Sequence, residues 1–293
     1  MLHLDHIIVL IPYASLHDPP TWITDNFTLS QGGRHADGKT ENKLICFRDG
    51  SYIELIAFVN DDPKNREGHW WGGKKFGIID FAFTDSAGDA SIQYSELAER
   101  LKLLNAKDSA IKIEYAQPVA GGRKRPDGED VKWKVTFPVL TTGYQRGELP
   151  FFCHDVTART LRAPVEEKNV SHPCGAYGIS QMTIYISESS LPALVESYSA
   201  ILNVPNSAAR DDPSRLGIFS LGRLRKVDGA PDPHFKLLVP SEESQAKAAE
   251  ERSGFFIGNL VIGCHGVGER TGIQRIDIGG TDMGGLFLDS GKA

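Results

Sequence analysis

The sequence predicts an α+β protein built from a repeated unit of a strand, a helix and two or more further strands. Apolar β-branched runs bounded by turn residues predict the strands, and one amphipathic run in each unit predicts the helix. The order of elements occurs twice at a spacing of about 75 residues, and a third unit starts near residue 179. We therefore expect a first domain of two modules at residues 1–160, a linker around Arg162–Pro173, and a degenerate copy at residues 174–293.

The first unit begins with an apolar strand and ends with a hairpin. Asp18 followed by Pro19 and Pro20 predicts that a helix begins at this point of the chain, because Asp caps a helix and Pro fits its first turn. A Gly-rich polar segment precedes the hairpin and is predicted to be a loop, with a further edge strand starting near Thr40. The predicted elements are a strand at Leu2–Ile11, a helix at Thr21–Phe27, a loop at Ser30–Asn42 and hairpin strands at Lys43–Phe47 and Tyr52–Phe58.

The later units follow the same order. In the second unit, Leu97, Leu101 and Leu104 recur at helical spacing, so Ile92–Leu104 is predicted to be an amphipathic helix. Its other elements are strands at Phe76–Phe83, Val131–Phe137 and Leu149–Cys153, with a Gly-rich charged loop at Ala120–Gly128. The second half is predicted to hold strands at Ile179–Ile186, Leu216–Leu221, His234–Val239, Gly254–Ile262 and Ile273–Ile278, and helices at Leu191–Leu202 and Ser241–Arg252.

The composition argues against several classes of protein. A net charge of −6 gives no general attraction to nucleic acid or to an anionic membrane. No window reaches the roughly 18 apolar residues of a membrane helix, and we expect no secretory signal. The four cysteines are far apart and form no Cys-x-x-Cys pair, which is typical of reduced thiols. We expect a cytoplasmic protein that acts on a small molecule and has no nucleic-acid or membrane partner.

Two ionisable residues interrupt apolar strands. His6 lies within the first predicted strand and Glu54 within the last strand of the first unit. Burying such a group costs free energy unless it is paired or bound to a ligand. A metal site on the strand faces would explain both residues. The alternative is a hydrogen-bonded core histidine and a glutamate that points to solvent.

Short motifs in this order resemble the vicinal oxygen chelate superfamily, and the first 155 or so residues look like its glyoxalase-like domains. The motifs are Leu4-Asp5-His6-Ile7, Gly32-Gly33-Arg34-His35 with Thr40 and Asn42 downstream, Tyr52-Ile53-Glu54-Leu55, and Leu149-Pro150-Phe151-Phe152. The resemblance implies tandem βαβββ modules whose curved mixed sheets form a cleft. It also implies one divalent metal, held by residues of the first and last strands of each module.

The resemblance assigns candidate ligands position by position. His6 and Glu54 fall on the ligand positions of the first module, while Asp80 and His154 fall on or near those of the second. Imidazole and carboxylate ligands suit Zn, Ni, Mn or Fe. In the third unit, Gln181 and Lys236 stand at the corresponding positions, so no metal is expected in the second half.

Other residues are candidates for the cleft. His35 on its Gly-flanked loop and His69 beside two tryptophans could act as acid or base. Trp70 and Trp71 could form an aromatic lid or a plug between modules, and the plug is favoured for Trp71. The basic run that starts at Arg123 could bind an anionic substrate, but a charge run in a loop rich in Gly and Pro favours a solvated turn.

Three functions follow from these residues. The leading hypothesis is a metal-dependent lyase, isomerase or dioxygenase that acts on a small molecule with vicinal oxygens, with Glu54 able to serve as base. The second is a metal-free protein that binds or sequesters a small molecule. The third is a metal-independent isomerase that uses His35 or His69 as acid and base. The two halves of the chain could complete a monomer, although related folds often pair, so a homodimer is the alternative.

Overall fold

The computed structural model describes residues 1–85, 88–107, 112–125, 127–140, 143–207, 216–266, 271–277 and 284–291. The first half of the chain forms one mixed sheet. Its strands are β1 (Leu2–Leu10), β2 (Ser30–Arg34), β3 (Thr40–Cys46), β4 (Tyr52–Phe58), β5 (Gly77–Asp85), β6 (Val119–Lys124), β7 (Asp130–Thr136) and β8 (Phe151–Asp155).

The order of strands across this sheet is β2-β3-β4-β1-β5-β8-β7-β6. Each module pairs its first and last strands in parallel, β1 with β4 and β5 with β8. The modules join through the antiparallel pair of β1 and β5. At the far ends, a bridge between His35 and Arg123 brings the edges by β2 and β6 together, so the sheet curves and nearly closes. The predicted α+β fold with a curved mixed sheet around a cleft is confirmed.

Two predicted loops contain strands. Ser30–Asn42 includes β2 and the start of β3, and Ala120–Gly128 includes most of β6. Both segments are rich in Gly and polar residues, which have low intrinsic strand propensity. Pairing with β3 and with β7 overrides that propensity, because a neighbouring strand satisfies the backbone groups.

The second half forms another mixed sheet with the same kind of pairing. Its strands are β9 (Ala176–Tyr185), β10 (Leu216–Ser220), β11 (His234–Leu238), β12 (Phe256–Cys264), β13 (Ile273–Arg275) and β14 (Leu286–Asp289). The order is β10-β11-β9-β12-β14-β13, with the antiparallel pair of β9 and β12 at the centre. Since β9 pairs in parallel with β11 and β12 with β14, the arrangement repeats that of the first sheet. Of the predicted strand Ile273–Ile278, residues Ile273–Arg275 form β13, and Ile278 lies outside the described residues.

Helices pack against the sheets and between them. They are α1 (Tyr13–His17), α2 (Thr21–Thr24), α3 (Pro63–Arg66), α4 (Ala90–Lys107), α5 (Arg159–Arg162), α6 (Glu167–Val170), α7 (Leu191–Leu202) and α8 (Glu243–Glu251). In the described part of the chain, no helix is long and apolar enough to cross a membrane.

The two faces of the first sheet have different roles. Alternate residues of its central strands, such as Ile7, Phe81 and Phe152, enter the main core that α4, α7 and the second sheet complete. The stacked rings of Phe81 and Phe235, with centroids 5.8 Å apart, are one contact between the halves. The intervening residues, such as Ile8 and Phe151, form a smaller cluster on the inside of the curve. The concave face is therefore free to surround a ligand.

Candidate active site

The concave face of the first sheet encloses a cavity of about 330 Å³. This volume is within the range of sites for small molecules. Most of the lining is apolar and aromatic: Ile8, Leu44, Tyr52, Trp70, Trp71, Val119, Trp133, Val135, Phe137, Phe151 and Cys153. The polar and ionisable lining residues are His6, His35, Asp37, Thr40, Asn42, Glu54, His69, Arg123 and Arg162. The lining therefore combines apolar walls with a small group of titratable side chains.

A β-bulge orients His6. Leu4 pairs with Phe83 and His6 pairs with Ala82, so Asp5 is an extra residue of β1 with no pairing partner in β5. Successive side chains of a regular strand point to opposite faces, but a bulge redirects them. Here His6 Nδ1 lies 2.6 Å from Asp5 Oδ2, and the carboxylate holds the imidazole in place.

Two arginines keep Asp5 ionised. Arg162 binds both oxygens of Asp5, through Nη1 at 2.7 Å and Nη2 at 3.1 Å, and Arg159 also donates to Asp5. Burial alone would raise the pKa of Asp5, but these guanidinium groups and the bond from His6 hold it well below its usual range. The ionised Asp5 accepts a hydrogen bond from the Nδ1–H group of His6. The other ring nitrogen, Nε2, faces the cavity and lies 3.7 Å from Glu54 Oε2.

An amide of fixed orientation holds Glu54. Asn42 Nδ2 donates to Glu54 Oε1 at 2.7 Å. The amide oxygen of Asn42 accepts from Gly33 N at 2.9 Å and from Arg123 Nη1 at 3.0 Å, so the NH₂ group points to the glutamate. Gly32 is required for this approach, because a Cβ at its position would lie 2.0 Å from Asn42 Oδ1.

His35 reaches the same carboxylate from the end of β2. Its Nδ1 lies 2.8 Å from Thr40 Oγ1, and its Nε2 lies 3.5 Å from Glu54 Oε1. Burial lowers the pKa of His35 although Glu54 opposes the shift, so the imidazole is neutral near pH 7. Glu54 therefore lies between two imidazoles. The sequence predicted His6 as a metal ligand and His35 as an acid or base.

Sequence reasoning missed the arginines of the site. Arg123 is 6% exposed, and its Nη2 donates to the backbone oxygen of Arg162 at 3.1 Å. Arg123 belongs to a basic run that was predicted to be a solvated turn, and Arg162 to the predicted linker. No local pattern marks them, because their partners Asn42 and Asp5 are 81 and 157 residues away in sequence.

The segment from His69 to Trp71 forms one wall of the cavity. Trp71 is 6% exposed and its Nε1 donates to Asp80 at 2.8 Å, which agrees with its predicted role as a plug. Trp70 is 50% exposed. His69 Nδ1 accepts from the backbone N–H of Trp71, and burial lowers the pKa of His69 to about 4. His69 is thus neutral near pH 7, and its Nε2 lies 3.8 Å from Asp37 Oδ2.

The structure does not bring the two candidate ligands of the second module to the cavity. Phe151 and Cys153 of β8 face the cavity, so His154 points to the opposite face, where it lies 3.6 Å from Asp85. Asp80 is fully buried behind Trp71 and does not line the cavity. The residue paired with His6 across the central strands is Ala82, which carries no ligand atom.

The cavity residues do not fit a protein-bound divalent metal. Such a site needs three or four ligand atoms around one point. Across the described ranges, no group of three His, Cys, Asp or Glu side chains has this geometry. The buried guanidinium of Arg123 beside Asn42 would also repel a cation. His6, Glu54, Asp80 and His154 therefore do not converge on a common ligand position.

Comparisons with known proteins place the chain in a family. Residues 4–202 match the family model described as a glyoxalase-like domain. A crystal structure of a hypothetical protein from Staphylococcus aureus superposes with a TM-score of 0.67 at 16% identity, covering 99% of both chains. No curated protein matches the chain.

Two enzyme structures also show similarity at lower scores. A 4-hydroxymandelate synthase mutant from Streptomyces coelicolor has a TM-score of 0.48 at 10% identity, covering 90% of this chain and 71% of that one. A methylmalonyl-CoA epimerase mutant from the same organism has a TM-score of 0.30 at 14% identity, covering 53% of this chain and 98% of that one. The family match spans more than half of the sequence and includes His6, Glu54 and their hydrogen-bonding partners Asp5 and Asn42. The chain therefore belongs to the glyoxalase-like domain family, as the resemblance to the vicinal oxygen chelate superfamily predicts.

Proposed function

We propose that this protein is a metal-independent isomerase that moves a proton between adjacent carbons of a small hydroxy-carbonyl compound. One observation carries the proposal. Glu54 lies between the imidazoles of His6 and His35 at the edge of an apolar cavity, and separate hydrogen bonds orient all three. Orienting partners of this kind are what a general acid and a general base require.

In this proposal, Glu54 is the base. The Glu54 residue is 6% exposed, and Asn42 donates only to Oε1, which leaves Oε2 to face a substrate. The carboxylate removes the proton from the carbon beside the carbonyl group. The electron pair of the C–H bond then forms a C=C bond, the π pair of the C=O bond moves to the carbonyl oxygen, and protonation of that oxygen gives an enediol.

His6 is the acid. The ionised Asp5 carboxylate accepts the hydrogen bond from Nδ1 of His6 and so orients Nε2 toward the cavity, as a buried carboxylate orients a catalytic histidine. His6 donates its Nε2 proton to the carbonyl oxygen while Glu54 takes the carbon proton. In the second half of the reaction, Nε2 accepts the neighbouring hydroxyl proton and protonated Glu54 delivers its proton to the other carbon. Every proton is returned, so no oxidant or co-reactant is needed.

His35 and Arg123 position the base. His35 is neutral near pH 7 and lies beside Glu54 Oε1 without adding charge. Arg123 acts through Asn42, whose amide it holds in the orientation that donates to Glu54. The aromatic walls exclude water, which strengthens the electrostatic interactions in the cavity.

Deuterium exchange at carbon tests the proposal, because it reports removal of the carbon proton whichever product forms. The purified chain is incubated in D₂O with a panel of small hydroxyaldehydes and hydroxyketones, and incorporation at carbon is followed by NMR. Glu54→Gln and His6→Gln are each expected to slow exchange by about 10²–10⁴-fold, the usual contribution of general acid–base catalysis. His17→Gln is the matched control, since His17 is exposed and lies outside the cavity.

Metal analysis separates this proposal from the metal-dependent hypothesis. We expect exchange to persist after chelation and dialysis. About one equivalent of Zn, Ni, Mn or Fe that disappears in both His6→Ala and Glu54→Ala, together with loss of exchange on chelation, would support the metal enzyme instead. Stoichiometric ligand binding with no exchange in any condition would support a sequestering protein.

A further inference from the structure

A second cavity lies at the junction of the two halves and differs in character from the first. Its volume is about 250 Å³. Residues of the connector before β5 and of the segment before β8 form one side, and the end of α8 with the start of β12 forms the other. Arg252 Nη2 donates to Phe76 O at 2.8 Å, and Gln145 Nε2 donates to Ser253 O at 2.7 Å, so hydrogen bonds tie the two sides together.

Positive charge dominates the lining. It contains Lys74, Lys75, Arg146 and Arg252 against one carboxylate among the described lining residues, Glu251. Glu251 lies 3.6 Å from Lys75, and both side chains are more than half exposed. That pair is therefore largely screened by water. The described lining thus carries a clear excess of cations.

Arg146 is largely buried, and two of its three guanidinium nitrogens have no hydrogen-bond partner. Its side chain is 10% exposed, and neither Nε nor Nη1 has a hydrogen-bond partner. The nearest carboxylate oxygen is Asp80 Oδ2, at 3.8 Å from Nε, and this carboxylate already accepts bonds from Trp71 and Phe81. A buried guanidinium with unsatisfied donors is costly, and an oxyanion ligand would remove that cost.

Lys74 lies close enough to Arg146 and Arg252 for their charges to act on it. Burial lowers the pKa of Lys74, and repulsion from Arg146 and Arg252 adds to the effect, while Asp80 and Glu148 oppose it. Three cations thus lie within electrostatic range of one another beside a cavity. Arginine forks and a lysine point charge are the groups that recognise phosphate and carboxylate.

We propose that this junction cavity is an oxyanion-binding site for a ligand that carries a phosphate or carboxylate group. The site is separate from the Glu54 cavity, although Trp70 lines both. Because Lys74 and Arg146 belong to the first half and Arg252 to the second, an anion there bridges the halves. Binding should therefore also stabilise the folded chain.

Calorimetric titration of the full chain tests the site. The probes are inorganic phosphate and, in a separate arm, succinate, and the preferred probe identifies the class of oxyanion. We expect binding of one equivalent that weakens as salt is added, because the cations are partly exposed to solvent. Lys74→Met should weaken binding at least about tenfold, and Arg146→Lys several-fold, since lysine keeps the charge opposite Asp80 but lacks the planar fork.

Two controls make the outcome decisive. Lys64→Met removes an exposed lysine outside this cavity, and Glu54→Gln alters the other cavity; both should bind the probe as the wild type does. The inference is overturned if neither probe binds at concentrations up to about 10 mM. It is also overturned if Lys74→Met and Arg146→Lys, shown to be folded by circular dichroism, bind as tightly as the wild type. Neither result depends on whether the Glu54 cavity catalyses proton transfer.

Discussion

Arg162→Met is the substitution that most directly tests how the Glu54 cavity is held together. The Arg162 side chain is 3% exposed. It makes bidentate contacts with Asp5 and with Asp155, at 2.6–3.1 Å, and donates to Tyr52 Oη at 2.8 Å. Methionine fills similar space but removes all of these bonds and the positive charge.

The expected cost follows from what remains after the substitution. Removing one partner of a buried ion pair typically costs about 3–5 kcal/mol, because the other charge is left uncompensated. Arg159 still contacts both Asp5 and Asp155 in the variant. We therefore expect the free energy of unfolding to fall by about 3 kcal/mol at pH 7, at the lower end of that range.

Urea denaturation followed by tryptophan fluorescence measures this loss. Arg48→Met is the matched control, because its ion pair with Glu167 is exposed and should contribute less than about 1 kcal/mol. Arg162→Lys should restore part of the stability through its charge. A loss below about 1 kcal/mol in Arg162→Met would refute the reasoning that Arg162 compensates buried carboxylates.

The pH dependence gives a second readout of the same change. The pKa of Asp5 is lower in the folded state than its ordinary value of 3.8, so its contribution to stability is present above pH 3.8 and is lost as the pH falls through the folded pKa. In Arg162→Met the folded pKa of Asp5 should rise. The stability difference between variant and wild type should therefore shrink below about pH 4. A difference that stays constant down to pH 3 would contradict the assignment to Asp5.

Two further predictions concern the residues around Asn42 and the cavity wall. Gly32→Ala should lower the free energy of unfolding by about 1–3 kcal/mol and reduce any deuterium exchange, because the new Cβ would collide with Asn42. Gly73→Ala is the control: a Cβ there meets no atom within 4 Å, so the free energy of unfolding should change by less than about 0.5 kcal/mol. The pKa of His69 in the folded state, about 4, lies below its ordinary value of 6.5, so unfolding takes up a proton between these pH values and the free energy of unfolding falls as the pH is lowered from 6.5 to 4. In His69→Gln, urea denaturation at a series of pH values should show a smaller fall. An unchanged slope in His69→Gln, or an equal effect of His17→Gln, would contradict this.

Apolar strand runs and amphipathic helix patterns were enough to predict the repeated modules, and single ionisable residues within two apolar runs were enough to select His6 and Glu54. An ionisable residue within an apolar strand is visible in the sequence because burial makes it costly. The same local patterns predicted both ends of α4 to within three residues. They failed at β2 and β6, whose residues favour turns and become strands only when β3 and β7 lie beside them.

The register of β8 shows how one residue decides a site. The resemblance placed a ligand on or near His154, but Cys153 is the residue that faces the cavity. Adjacent strand residues point to opposite faces, so no pattern within Phe151–Asp155 tells which one faces inward. Pairing with β7, where His154 lies opposite Lys134, settles it.

The sequence by itself therefore determined the α+β class, the modular repeat, and His6, Glu54, His35 and His69 as candidates for one cleft, because strand patterns and costly burial are local properties. Only the tertiary structure decided which side chains converge and how they are oriented. The bulge at Asp5 and the partners of Arg162 and Arg123 arise from contacts between residues up to 157 positions apart. Such contacts depend on strand order and register, and these are fixed only when the curved sheet forms.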